Sequence, residues 1–346
     1  MRLSLPALVL LVATPTPIHA PTPARPARVV SDPPALITVE LDSSYSQVVV
    51  TVGPFRVRAG MATDDADPMA MAMMQDSCIG QFVWPRAALF HGLRLELLDA
   101  RGAVLPRSLL HHLRLNNFDR RDLIYPQMEH IVAFGHETEN ISVPATVGLP
   151  MTRGHRVAVV VMWNNVSGHD LDSVRLRLTF KLNHRRQSPA PIAVLPFVVN
   201  ASPLPSGMFD VPPGGVTRDF EFTIPLSGRL LVASGHLHDH GAWMRLEDAA
   251  TGHEIITVHP IKDQGGRVVG MSRVLALLNR GPHLRAGRLY RLRVRYENTT
   301  NDTLVGMGIL GGLFSPDDIR AWPAIDASDP HYPDYPADIC GVRRPL

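Results

Sequence analysis

The chain has 346 residues and a formal net charge of +2, so bulk electrostatics gives no argument for a nucleic-acid partner. Hydrophobic residues make up 45% and charged residues 19%, which allows a sizeable core and excludes disorder as the default. Two cysteines exclude a disulfide-dense scaffold and a thiolate cage, while 31 Pro and 26 Gly disfavour long helices and suit short strands joined by turns.

Residues 1–24 read as an export signal. Arg2 gives a positive start, Leu5–Ala13 is an apolar run too short to span a bilayer, and small residues follow. This predicts a secreted or periplasmic protein with no stable membrane span after signal removal; an uncleaved anchor is the alternative. Residues 25–35 are Pro/Ala-rich and read as a tether. From Leu36 the pattern turns to period two, with strands predicted at 36–41 and 47–52. Residues 60–77 are small, acidic and Met-rich and read as a loop. Its run Met69–Met74 offers thioethers to Cu(I), or only apolar loop contacts. Further strands are predicted at 93–98, 109–115, 130–134, 156–163 and 174–182, with a turn at Asp99–Gly102.

The segment from His184 to Pro191 reads as a boundary between a domain at 36–187 and a second at 188–320. Strand signals resume at 197–200, 217–224, 229–236, 243–246, 254–259, 289–296 and 304–310; Ser272–Leu278 reads as a helical turn or two. The tail, 321–346, is Pro/Asp-rich and predicted to wrap the surface. Two halves of similar size and strand density predict an all-β chain: two tandem antiparallel β-sandwiches, jelly-roll-like. Five Asn-x-Ser/Thr triplets stand at Asn140, Asn165, Asn200, Asn298 and Asn301, and Cys78 and Cys340 are a possible disulfide in an exported chain.

Sixteen His and thirteen Met tilt the inventory toward imidazole and thioether chemistry. In His236-Leu-His238 the residues at i and i+2 of a strand point to one face, so both imidazoles can reach one metal without bending the backbone. Asp239 and His240 follow and could support them. His111-His112 is different: neighbours on a flat strand point to opposite faces, so both reach one ion only at a strand end or a bulge. Otherwise one is buried and one exposed. Met162 and Met307 lie on predicted strands and are candidate third ligands, or core fillers. A thioether beside two imidazoles selects copper, above all Cu(I).

With His111-His112, then His236-Leu-His238 and Gly241, then Tyr296-Glu-Asn-Thr-Thr before Gly306-Met-Gly, the order resembles the copper type II, ascorbate-dependent monooxygenase family. That is the family of the peptidylglycine α-hydroxylating and dopamine β-monooxygenase kind, and the likeness runs from about residue 85 to 315. The resemblance implies two β-sandwich domains with two coppers per chain, facing across a solvent cleft. It assigns the oxygen-activating copper to His236, His238 and Met307, and the electron-transfer copper to His111, His112 and Met162. It further implies O2 and a small-molecule substrate, with ascorbate as reductant.

This chain departs from the pattern at several points. Met162 aligns with a histidine of the family. Leu310 aligns with the family's ligand methionine; three residues along a strand reverses the face, so Met307 could substitute only through a bulge or a shifted register. Ser234 stands where the amidating branch has the arginine that anchors a peptide carboxylate, and Gly312 and Phe314 replace a downstream Asn and Tyr. A peptidylglycine substrate is therefore not implied. Two other readings stay open: an exported copper-binding protein without hydroxylation, and a metal-free interaction module on the same scaffold.

Overall fold

The computed structural model describes residues 36–60, 77–135, 138–184, 188–202, 207–276, 281–326 and 328. The export signal, the tether, the Met-rich run 69–74, Cys340 with its pairing to Cys78, and most of the tail lie outside these residues. The described chain is all-β, with only two short 3-10 turns besides strands and loops, at Arg107–Leu109 and Ile319–Ala321. No helix among the described residues is long and apolar enough to cross a membrane.

Two antiparallel sandwiches follow one another. The first packs a large sheet, with Leu36–Leu41, Gln47–Val57, Leu171–Leu182 and Ala88–Leu98 as successive neighbours, against a four-stranded sheet. That smaller sheet runs Ser77–Val83, Arg156–Trp163, Leu110–Arg121, Met128–Gly135. The second sandwich pairs a sheet built on Leu195–Asn200, Leu304–Pro316 and Gly228–Leu237 with a four-stranded sheet ordered Val216–Thr223, Leu289–Tyr296, Gly241–Asp248, Glu254–Val258. In chain order both small sheets read first, last, second, third, so the two halves share one topology. Period two explains each core. In Leu171–Leu182 the residues Val174, Leu176, Leu178, Phe180 and Leu182 are buried, and polar residues alternate with them.

The same polar loop closes the same corner of both sandwiches. Asn165 donates through Nδ2 to the carbonyls of Val57 and His169, and its Oδ1 accepts from the backbone and hydroxyl of Ser167. Asn298 repeats this with Val211, Asp302 and Thr300. Both amides are buried, so these two triplets serve the fold and are closed to glycosylation in the folded chain.

Some expectations change. Val274–Leu275, expected in a helical turn, pairs as a short strand with Val232 and Ala233. A few residues without caps cannot hold a helix against a sheet edge that offers hydrogen bonds. Short strands at 104–105, 141–142, 147–151, 192–193, 208–211, 260–262, 268–271 and 283–284, and the strand at 77–83, add to those expected.

The chain crosses between sandwiches at Val194, which packs in the first core, and Leu195, which pairs with Phe314 in the second sandwich. Leu231 inserts into the first core and Leu123 into the second. The Asn200 N–H donates to the Tyr125 hydroxyl at 2.8 Å, and the Trp322 indole N–H donates to the Arg121 carbonyl at 2.8 Å. Arg273 and Glu139 form an ion pair across the boundary at 2.6 Å, with both side chains substantially exposed. Such a pair is worth under about 1 kcal/mol. Chemical denaturation of Glu139→Gln is accordingly expected to shift stability by no more than that, and a larger loss would mark the pair as part of the interface core.

Candidate metal centre

Sheet register decides which face each candidate ligand takes. His236 lies opposite Ile309, and Leu237 opposite Gly308. Leu237 and Leu310 point into the second core, so His236 and Ile309 point out of it, and alternation puts Met307 on the same outer face. Met307 therefore needs no bulge to share a face with His236, and Leu310 is fully buried on the opposite face. The glycines on either side of Met307 explain the local sequence. A Cβ at Gly306 would meet Val211 at 2.7 Å, and one at Gly308 would meet Val294 at 2.8 Å, so the inner face admits only glycine there. Met307, between them, is left facing outward.

His238 lies just past the strand end. Its Nδ1 stands 3.1 Å from the Val305 carbonyl, which can only accept, so Nδ1 carries the proton and Nε2 the lone pair. The backbone N–H of His238 donates to the Tyr296 hydroxyl at 2.9 Å. That hydroxyl also accepts from the Met307 N–H at 3.1 Å and donates to the Met307 carbonyl at 2.6 Å, tying the two candidate ligands together through one side chain. A tight connection follows, with His240 at φ 65° and the Gly241 N–H donating to the His238 carbonyl at 3.1 Å. A Cβ at Gly241 would meet the Leu237 side chain at 2.8 Å, which accounts for a glycine three places after His238. Asp239 accepts from the Val268 N–H at 2.6 Å.

His111 and His112 open the strand Leu110–Arg121. Met162 pairs with His112, but Trp163 pairs with Leu110, so His111 is the extra residue of a bulge. The condition required for an adjacent pair to act together is met, and the two ring centres stand 4.2 Å apart. Opposite residues of an antiparallel pair share a face, so Met162 lies beside His112 on the outer face of the small sheet.

The two outer faces meet here. The rings of His112 and His236 stand 5.3 Å apart across the domain boundary, and those of His236 and His238 5.2 Å apart. His111, His112, His236 and His238 thus form one contiguous series, which sequence spacing alone did not reveal. His111 and His238 are buried, His112 and His236 are partly so, and the Nε2 atoms of His111, His236 and His238 are sealed from solvent. Burial, reinforced by the imidazoles of His111, His236 and His238 and by Arg114, holds His112 well below the ordinary imidazole value. It is neutral at physiological pH. Among the described residues no three His, Cys, Asp or Glu side chains are set as the ligands of a bound ion. The structure gathers the rings without aiming their nitrogens at one point.

A second buried polar group, not foreseen from the sequence, lies further along Leu110–Arg121, where that strand pairs with Met128–Gly135. Register slips between Asn117 and Arg121, and there Glu129 Oε2 accepts from Asn117 Nδ2 at 3.0 Å and faces Arg120 Nε at 3.3 Å. Its Oε1 is buried and makes no hydrogen bond. Burial pushes the Glu129 carboxyl up to about 7 against the opposing pull of Arg120 and Asn117.

No family model matches the chain, and no curated protein matches it. Among solved structures, the chain is similar to the STIV MCP at 10% identity and a TM-score of 0.38, covering 74% of this chain and 97% of that one. It is similar to the mavirus major capsid protein at 8% identity and a TM-score of 0.25, covering 91% and 94%. An f-lectin from the serum of striped bass, Morone saxatilis, follows at 11% identity and a TM-score of 0.19, covering 80% and 85%. Likenesses at these scores support no statement about function.

Proposed function

We propose that the chain is exported, binds copper between its two sandwiches, and uses it with O2 and ascorbate to hydroxylate a small substrate. The observation that carries this reading is the series of four imidazoles, two from each sandwich, with ring centres 4.2, 5.3 and 5.2 Å apart. Met162 beside His112, and Met307 on the face of His236, add thioethers. Beside burial, the largest influences on His112 are the imidazoles of His111, His236 and His238 and the Arg114 guanidinium. A neutral nitrogen and sulfur donor set next to a fixed cation disfavours hard divalent ions and favours Cu(I).

Copper held there would supply one-electron transfer and activation of dioxygen. The protein's part is to present neutral imidazoles in fixed tautomers. The Val305 carbonyl fixes His238 with Nε2 as its ligand atom, and burial keeps His112 unprotonated. Ser234, two residues before His236, donates to the Ser272 carbonyl at 3.1 Å and offers no charge to a substrate carboxylate, which favours an uncharged substrate. A second reading, copper binding without hydroxylation, is favoured by the sealing of three Nε2 atoms from solvent.

Elemental analysis after copper loading, followed by ascorbate-dependent O2 uptake over a panel of small apolar substrates, tests both. The expected result is retained copper, affinity lowered by more than about 100-fold in His236→Ala, and substrate-dependent uptake. Retained copper without turnover selects the second reading, and unchanged copper binding in His236→Ala overturns both.

A further inference from the structure

Two turns meet at the end of the second sandwich away from the histidines. The strand Gly241–Asp248 leaves the histidine end and reaches Asp248 about 23 Å further on, the rise of an extended strand of that length. There the segment from Asp248 to His253 turns back, with the Asp248 N–H donating to the His253 carbonyl at 2.9 Å. Beside it, Arg285-Ala-Gly-Arg288 forms a β-turn: the Arg288 N–H donates to the Arg285 carbonyl at 3.3 Å, and Gly287 supplies a φ of 70°. A β-turn brings its first and fourth residues within about 7 Å, so the sequence sets two arginines side by side. Asp248 ties the turns together. Its Oδ1 accepts from the Ala250 N–H, the Thr251 N–H and the Thr251 hydroxyl, and its Oδ2 accepts from Arg288 Nε. The Arg288 guanidinium, helped by Thr251, holds the Asp248 carboxyl down to about 2, so this tie persists at any ordinary pH.

Between the turns lies a cleft of about 430 Å³, within the usual range for small-molecule sites. Its carboxylates are already engaged, Asp248 by Arg288 and Glu254 by Arg245 at 3.0 Å. His283, also on the cleft, pairs with Asp317 at 2.9 Å. The groups left over are donors. Arg288 meets Asp248 through Nε, which leaves its two Nη groups. The side chains of Arg285 and His253 line the cleft and hydrogen-bond to no other described residue. The hydroxyl of buried Tyr290 accepts from the Arg285 N–H at 2.6 Å and keeps its own proton to donate. Ile255 and Pro282 add an apolar wall.

We propose that this cleft binds a phosphate monoester of the size of a sugar phosphate. Guanidinium forks match phosphate oxygens, and Asp248 holds one fork in place before any ligand arrives. Donors on two separate turns suit a tetrahedral group with three accepting oxygens better than a planar carboxylate. The apolar wall then faces the carbon frame. The site stands apart from the histidines and does not depend on the copper reading.

The test is isothermal titration of the full-length protein with glucose 6-phosphate, inorganic phosphate and glucose, repeated with Arg285→Ala and His236→Ala. Saturable binding of glucose 6-phosphate below about 1 mM is expected, with inorganic phosphate weaker and glucose silent. Arg285→Ala should weaken binding about tenfold or more, and His236→Ala should leave it unchanged. Glucose binding as well as its phosphate would overturn the anion site, and inorganic phosphate binding as tightly would overturn the ester. Unchanged affinity in Arg285→Ala, or no binding of glucose 6-phosphate to the wild type, would overturn the proposal outright. Should the variant fail to fold, phenylglyoxal modification of the wild type decides. Protection of Arg285 by glucose 6-phosphate supports the site, and equal modification with and without it refutes it.

Discussion

Replacing Tyr296 with phenylalanine is expected to cost about 3 kcal/mol of folding stability and to weaken copper binding about tenfold. The side chain is buried, and its hydroxyl serves the His238 N–H, the Met307 N–H and the Met307 carbonyl at 2.9, 3.1 and 2.6 Å. Phenylalanine preserves the packing against Phe209, whose ring lies edge-on at 5.6 Å, so the change isolates the polar contribution. Each buried group left without a partner costs about 1–3 kcal/mol, and relaxed geometry recovers part of the sum. The copper effect has a separate origin: the hydroxyl anchors the backbone of His238 and Met307, and a ligand that loses its anchor binds less tightly. Urea denaturation measures the first effect as a lower midpoint at unchanged slope, and a Cu(I) competition titration measures the second. A stability loss under about 1 kcal/mol with unchanged affinity would show that the hydroxyl does not hold the site.

The period-two strands were legible because each half-buried strand writes its own pattern. Arg156–Trp163 and Leu289–Tyr296 run as expected. Arg156–Trp163 also carries a second signal. Its run of valines has Val157, Val159 and Val161 in the first core, while Ala158 and Val160 are buried on the opposite face with Phe118 and Met128. A continuous apolar run signals burial on both faces. The bulge at His111 was not legible, because it is set by the pairing of Trp163 with Leu110 and not by anything in His-His. The face of Met307 was hidden for a related reason. Counting residues back from Leu310 turns Met307 away from that position's face, whereas the register to His236 decides which residues look outward. The meeting of His112 with His236 depends on how two sandwiches pack, and no local pattern encodes it.

Glu129 supplies the other large expected effect, read as a pH dependence. Its ordinary value is 4.5, and burial raises it to about 7 in the folded chain, with the nearby Asp122 adding to the rise and Arg120 and Asn117 opposing it. Between those values the folded protein keeps a proton that the unfolded chain releases. The contribution to stability is therefore fully present below about pH 4.5 and is lost as pH rises through about 7. A shift of this size corresponds to about 3 kcal/mol. Glutamine keeps an acceptor for Asn117 Nδ2 and cannot ionise. Glu129→Gln is thus expected to gain about 3 kcal/mol relative to the wild type between pH 4.5 and pH 8, seen as a higher relative midpoint in urea at the alkaline end. Parallel stability profiles for the two proteins over that range would mean that Glu129 is ionised in the fold at neutral pH, with Arg120 as a full counter-charge.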